Sequence, residues 1–202
     1  MTGGVWSWDG IVPVVDDTAF VHPAAVLIGD VIIGAGCYVG PGAVLRGDFG
    51  RITMAPGSNF QETCVAHAFP GKDVVIEELG HIGHGAVLHG CHIGRNAMVG
   101  MNAVVMDEAE VGENAIIGAG SFVKAGMIIP AASMVVGSPA RIVRSLSEAE
   151  IAWKREGTAV YQRLAQEAPF KLKAAEPLRA PEENRHRVEV AGHEPLVLAR
   201  KC

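Results

Sequence analysis

The sequence is poor in aromatic residues. Phe, Trp and Tyr make up 5% of 202 residues, although 49% of the chain is apolar. A core of small and β-branched side chains suits tight, repetitive coils better than a packed sandwich. Positive charge is also in deficit: 17 Lys and Arg stand against 22 Asp and Glu, a net charge of -5. That leaves no basic footprint for nucleic acid. No apolar run reaches the roughly 18 residues that a membrane-spanning helix needs, so no membrane partner is expected. The start of the chain has no basic stretch followed by an apolar one, which argues against a signal peptide. Cys37, Cys64, Cys91 and Cys202 form no C-x-x-C pair, which argues against a zinc ribbon and fits a cytoplasmic chain with reduced thiols. There is no G-x-S-x-G elbow for a serine esterase.

What the chain does have is a period of about six residues. Aliphatic or apolar positions fall at Val21, Leu27, Ile33, Val39 and Leu45, then at Ile52, Phe60 and Ala66. They return at Ile76, Ile82, Leu88, Ile93, Val99, Val105, Val111, Ile117 and Val123. Small partners recur between them, among them Ala25, Cys37, Ala43, Cys64, Ala86, Ala97, Ala103, Ala109, Ala115 and Ser121. Heptad and helical periods do not fit. Each hexad reads as one short strand and a corner, and three hexads close one triangular coil. The aliphatic residue points inward onto its equivalent one coil away, at roughly 4.8 Å. The expected fold is a mainly β, left-handed parallel β-helix built of hexapeptide repeats with a C-terminal α-helix, and the expected assembly is a trimer. The coil, with an N-terminal lead-in, should occupy residues 1–140, interrupted at Pro56-Gly57 and by an external loop between Ala68 and about Val75.

Ser147 and Glu150 form a capping-box pattern, with Leu146 as a staple before it. A helix is expected from about 148 to 167, inside a segment 141–168, with Gly157 a weak point and Ile151, Val160 and Leu164 buried against the coil. Residues 169–202, rich in Pro and charge, should be extended or disordered alone. Cys37, Cys64 and Cys91 fall at corners and read as core rather than as nucleophiles.

The register predicts a metal site. Ala66 and Leu88 lie one coil apart, so His67 and His89 should point outward and stack at roughly 5 Å. Counting back three hexads from Ala66 through Phe60 and Ile52 reaches Leu45, which puts Arg46 in the same column. His84 belongs to the adjacent face. A threefold homotrimer would bring His84 of a neighbour to the pair, completing three imidazoles with an open position for water, as in a catalytic zinc site. His22, His81, His92, His186 and His193 read as solvated surface residues, with His81 and His92 as possible outer partners of the ligands. Glu77 and Glu78 read first as a solvated acidic edge and second as proton carriers.

These residues resemble the γ-class carbonic anhydrase family. The likeness runs through Leu45-Arg46-Gly47-Asp48, Phe60-Gln61-Glu62-Thr63-Cys64-Val65-Ala66-His67 and Ile82-Gly83-His84-Gly85-Ala86-Val87-Leu88-His89-Gly90-Cys91. A narrower likeness, to the branch of phenylacetic acid degradation and carnitine operon proteins, adds Asp9-Gly10-Ile11-Val12-Pro13 and Gly137-Ser138-Pro139-Ala140-Arg141. It also covers Trp153-Lys154-Arg155 and Glu176-Pro177-Leu178-Arg179, which lie outside the repeat. The resemblance implies a homotrimer with one divalent metal at each subunit interface, zinc first and iron or cobalt as alternatives. It makes His67, His84 and His89 the ligands, Arg46 and Asp48 an intersubunit ion pair, and Gln61 the residue that orients metal-bound water. Where the family has Asp this chain has Glu62.

The function implied is metal-dependent hydrolysis of coenzyme A thioesters in phenylacetate-type catabolism, by hydroxide formed at the trimer interface. Gln61 or Arg46 would stabilise the oxyanion and Glu62 would move protons. Three other functions compete. Hydration of carbon dioxide would use the same centre. A hexapeptide acyltransferase would use the Gly137–Arg141 segment and need no metal. A trimeric scaffold would have no activity.

Overall fold

The computed structural model describes residues 4–188, 193 and 196. It is a parallel β-solenoid of about seven turns with one C-terminal helix. Three flat faces run its length. On the first, Leu27, Leu45, Ala66, Leu88, Val105 and Val123 lie in register. On the second the column is Ile33, Met54, Ile76, Ile93, Val111 and Ile129. On the third it is Val21, Val39, Phe60, Ile82, Val99, Ile117 and Val135. All but Val21 are buried, each contributing about 1.5–3 kcal/mol where a full aliphatic side chain leaves water. Because strands pair only along the axis, every coil positions the next.

The corners need small residues and unusual backbone. Cys37, Ala43, Cys64, Ala86 and Ala97 have no exposed surface. Burial pushes the thiols of Cys64 and Cys91 up to about 11 and about 12, so neither is a nucleophile at neutral pH. Asn96, Asn102 and Asn114 take left-handed corners at φ of 51–59°, which Asn tolerates better than most residues. Leu79 does the same at φ 61° at a cost of about 1–2 kcal/mol, and its carbonyl is held by a side chain of the helix described below.

Two details differ from the expectation. Met54, not Ile52, occupies the hexad position of the second face; Ile52 pairs with Val31 and Val74. The reason is a bulge inside the strand Val44–Met54. Gly29 pairs with Gly47 and Val31 with Ile52, so four residues, 48–51, stand where the coil below has Asp30 alone. Pro56-Gly57 is an ordinary corner rather than an interruption, since the Gly57 amide donates to Ala35 at 2.8 Å. The loop after Ala68 is present, and strand resumes at Val74–Ile76.

The last coil ends differently from the rest. Ser133–Val136 pairs antiparallel with Arg141–Ser145, which turns the chain back along the third face. The helix α1 then spans Glu148–Lys171, past the expected end at 167 and through Pro169. The capping box is made: Ser147 Oγ accepts from the Glu150 amide at 3.3 Å, and Glu150 Oε2 accepts from the Ser147 amide at 2.9 Å. Its buried residues include Lys154, Gly157, Thr158, Ala165 and Ala168. Ile151 and Val160 are only half-buried and Leu164 is exposed. Helix and coil meet through small and polar side chains, and Gly157 is buried against His193. Among the described residues no helix is long and apolar enough to cross a membrane.

Candidate functional site

Strands Val65–His67 and Val87–His89 pair residue for residue on the first face, which sets His89 opposite His67. Their rings lie 5.4 Å apart. The bulge of residues 48–51 carries Asp48 to the pair, where Oδ1 sits 3.0 Å from His67 Nε2. Arg46 Nη1 donates to Asp48 Oδ2 at 2.6 Å within this chain. Burial works against ionisation of Asp48, but hydrogen bonds from Arg46 and His67 outweigh it and hold the carboxyl below its usual range. Asp107, from the coil above, sits 2.8 Å from His89 Nδ1. Phe49 packs on His67 and Phe69 on His89, both rings standing out toward solvent.

His84 occupies the corner between the third and first faces, in Gly83-His84-Gly85. One coil below, Glu62 Oε2 contacts His84 Nδ1 at 2.5 Å. The other oxygen of Glu62 accepts from Tyr38 Oη at 3.0 Å. The extra methylene of Glu62, compared with Asp, therefore spans two partners. Burial and the Glu62 carboxylate both push the Tyr38 hydroxyl up, which keeps it a donor. Tyr161 of α1 lies 3.5 Å from His84 Nε2; burial first, then Glu62, raises its hydroxyl to about 12.

Gln61 is buried beneath α1 rather than beside the histidine pair. Its Nε2 donates to Asn59 Oδ1 at 2.9 Å and to His81 Nε2 at 2.7 Å. His81, expected on the solvated surface, is covered by the helix. Desolvation first, then the charge of Lys154, lowers it to about 3, so the ring is neutral. Its Nδ1 faces Thr158 Oγ1 and Asn59 Nδ2, each at 3.3 Å. Lys154 is 2% exposed. It donates to the Leu79 carbonyl at 2.6 Å and to Asn96 Oδ1 at 2.9 Å, and burial lowers it to about 7.

Glu77 and Glu78 lie at the corner between the second and third faces. Glu77 engages His92 at 3.0 Å and the Arg95 amide at 2.7 Å. Within one chain neither residue faces the histidine pair. Sequence reasoning missed Asp107, Tyr38 and Tyr161. Asp107 was readable in principle, since Val105 stacks on Leu88 and places the following residues over His89.

A metal ion suits these donors in part. Carboxylates occupy Nδ1 of both His84 and His89, which fixes their tautomers and leaves Nε2 as the ligating nitrogen, a common outer arrangement of metal-bound histidine. Within one chain, however, the described residues contain no group of three or more His, Cys, Asp or Glu side chains able to hold an ion. His67 and His89 share one edge and His84 occupies another.

Hexads stacked in three columns, with histidines raised on adjoining edges, define a protein class, and the chain belongs to the hexapeptide-repeat family. The family model "Bacterial transferase hexapeptide (six repeats)" matches residues 13–47 and 90–125. More particularly, the chain is 52% identical to the carnitine operon protein CaiE of Escherichia coli O157:H7, over 91% of this chain and 94% of that one. CaiE of Shigella sonnei (strain Ss046) matches equally well. Among solved structures, a hexapeptide transferase family protein from Anaplasma phagocytophilum superposes with a TM-score of 0.79 at 37% identity, covering 82% of this chain and 98% of that one. The perosamine N-acetyltransferase of Caulobacter crescentus, in complex with CoA and GDP-perosamine, reaches 0.55 at 25% identity, over 62% of this chain and 56% of the other.

Proposed function

We propose that this protein is a metal-dependent hydrolase of coenzyme A thioesters, with its centre assembled between copies of the chain. The observation that carries the reading is the division of the histidines. Two stack on one edge with Asp48 and Asp107 behind them, and the third stands on another edge with Glu62 behind it. Hexapeptide-repeat proteins are typically trimeric, and a threefold arrangement sets one edge of each subunit against a different edge of the next. Phe49 and Phe69, exposed beside the pair, are surface that a neighbouring copy would cover.

His67 and His89 of one subunit with His84 of the next would hold a divalent ion, zinc, iron or cobalt. When bound, such an ion lowers the pKa of its water toward about 7 and so supplies a nucleophile at neutral pH. The chain's own residues do the rest. Asp107 and Glu62 hold His89 and His84 by Nδ1. Asp48 is kept ionised by Arg46 and draws His67 into line. Glu62 thus acts as a positioning residue rather than a proton carrier, since both its oxygens are engaged. Arg46, half-exposed beside the pair, is the cation available to a thioester carbonyl oxygen as charge develops on it. Gln61 reaches the reaction only through His81 and the slot under the helix.

The test is metal content per subunit of protein purified anaerobically without added metal, with coenzyme A release from acyl thioesters in the same preparation. Bound metal, and release lost in His84→Ala, supports the reading. Metal without thioester cleavage turns it toward carbon dioxide hydration or a scaffold. Protein that takes up no metal under any loading condition overturns it in favour of acyl transfer, the activity carried in the names of the solved relatives.

A further inference from the structure

A slot of about 400 Å³ runs between α1 and the third face, and His84 and Gln61 stand at one end of it. We infer that this slot receives the acyl group of the thioester, and that the group it takes is uncharged, apolar and larger than acetyl. The inference rests on the hydrolase reading above and adds the substrate class.

Three observations carry it. The first is position: His84, a candidate ligand, also lines the slot, so a carbonyl carbon at the centre has its acyl chain pointing inward. The second is the wall. Met98, Met101, Ala119 and Val160 present side chains without charge or strong hydrogen-bonding capacity, the lining expected of a site that selects by shape and apolar contact.

The third is the state of the polar groups. Gln61, His81 and Lys154 border the slot, yet their partners are Asn59, Thr158, the Leu79 carbonyl and Asn96. Among the described residues no buried side-chain nitrogen or oxygen lacks a hydrogen-bond partner. A charged acyl terminus entering here would lose its hydration against a mostly apolar wall whose Gln61, His81 and Lys154 are already bonded to the protein, which is unfavourable. A methyl or methylene terminus loses nothing and leaves water. Trp153, stacked on His193 at 5.0 Å, closes one side, and the missing side chain at Gly157 lets the His193 ring lie against the helix there.

The experiment compares CoA, acetyl-CoA, hexanoyl-CoA and succinyl-CoA by calorimetry on full-length protein stripped of metal, so that no turnover intervenes. It includes Ala119→Trp, a change at an exposed corner residue that narrows the slot without touching the core. The expected result is hexanoyl-CoA binding on the order of ten-fold or more tighter than acetyl-CoA, with the advantage lost in Ala119→Trp and acetyl-CoA affinity unchanged. Equal affinity for hexanoyl- and acetyl-CoA, a preference for succinyl-CoA, no measurable binding of hexanoyl-CoA, or an advantage that survives Ala119→Trp overturns the slot. Coenzyme A release is then measured on metal-loaded protein. Hexanoyl preference in binding with no release anywhere retains the slot and removes the hydrolase; release without chain-length preference does the reverse.

Discussion

The first face carries two histidines on stacked coils and the third face carries His81, and their surroundings are opposite. His67 and His89 face outward, touch Asp48 and Asp107, and keep part of their rings in solvent. His81 is roofed by α1, meets Asn59, Gln61 and Thr158 instead of a carboxylate, and is driven to about 3. Residue type is the same in both places; the cover and the neighbouring charge decide whether an imidazole is a prospective ligand or a neutral hydrogen-bonding spacer. Glu62 on one side and Lys154 on the other make the same point, the first bridging two partners near solvent and the second sealed with two oxygens.

The sharpest way to break this contrast is to replace one histidine on each face. His89→Ala should abolish metal retention and thioester cleavage while the oligomer, followed by light scattering, stays intact. His81→Gln should leave metal content unchanged and lower thermal stability only. If His81→Gln strips the metal and His89→Ala does not, the assignment of the two faces is reversed.

A smaller effect is expected behind the ligands. Glu62→Gln and Asp107→Asn should each weaken metal affinity by roughly 10–100-fold, measured by chelator competition, whereas Asn59→Ala, behind His81, should not change it. Glu62→Asp should fall between, because the shorter side chain reaches His84 or Tyr38 but not both.

Stability should also depend on pH through the covered face. His81 falls from 6.5 to about 3 and Lys154 from 10.5 to about 7 on folding. The unfolded chain therefore binds more protons than the folded one between pH about 3 and 6.5, and again between about 7 and 10.5. Stability rises with pH through both windows. His81 contributes fully above 6.5 and its contribution is lost as pH falls toward 3; that of Lys154 is complete only above 10.5. The slope is at most about 1.4 kcal/mol per pH unit for each group. Chemical denaturation across pH should show both limbs, with Lys154→Met flattening the alkaline one; a profile unchanged in that variant would refute the sealed-lysine reading.

The smallest effect belongs to the acidic corner. Glu77→Gln should leave coenzyme A release within about two-fold and stability within about 0.5 kcal/mol, since its partners His92 and Arg95 are largely exposed. A large loss of activity would return Glu77 to the list of proton carriers.

The fold was legible because a hexad period needs only local counting, and the His67–His89 stack followed from it: Leu45, Ala66 and Leu88 are in register as counted. The count survived an error. Taking Ile52 for Met54 did not alter the number of hexads, because the surplus residues 48–51 bulge outward instead of advancing the coil. That bulge, which delivers Asp48 and Phe49, leaves no mark in an apolar period. The helix face was missed for a different reason. Lys154, Gly157, Thr158, Tyr161, Ala165 and Ala168 follow helical spacing, but a search for aliphatic residues passes over a stripe made of small and polar ones. His81 could not be read at all, since its roof comes from residues 77 positions later.

The antiparallel return of Arg141–Ser145 onto Ser133–Val136 has a consequence beyond closing the chain. Every coil of a parallel solenoid ends in a row of amides and carbonyls ready to template the next, and an open terminal coil would accept another molecule as readily as its own chain. A strand running the wrong way offers a mismatched ladder on the third face and fixes the particle at a finite length. The same repeat that makes the coil simple to extend would otherwise favour fibres, so these five residues act as a chain terminator for polymerisation, and their sequence can drift as long as their direction does not.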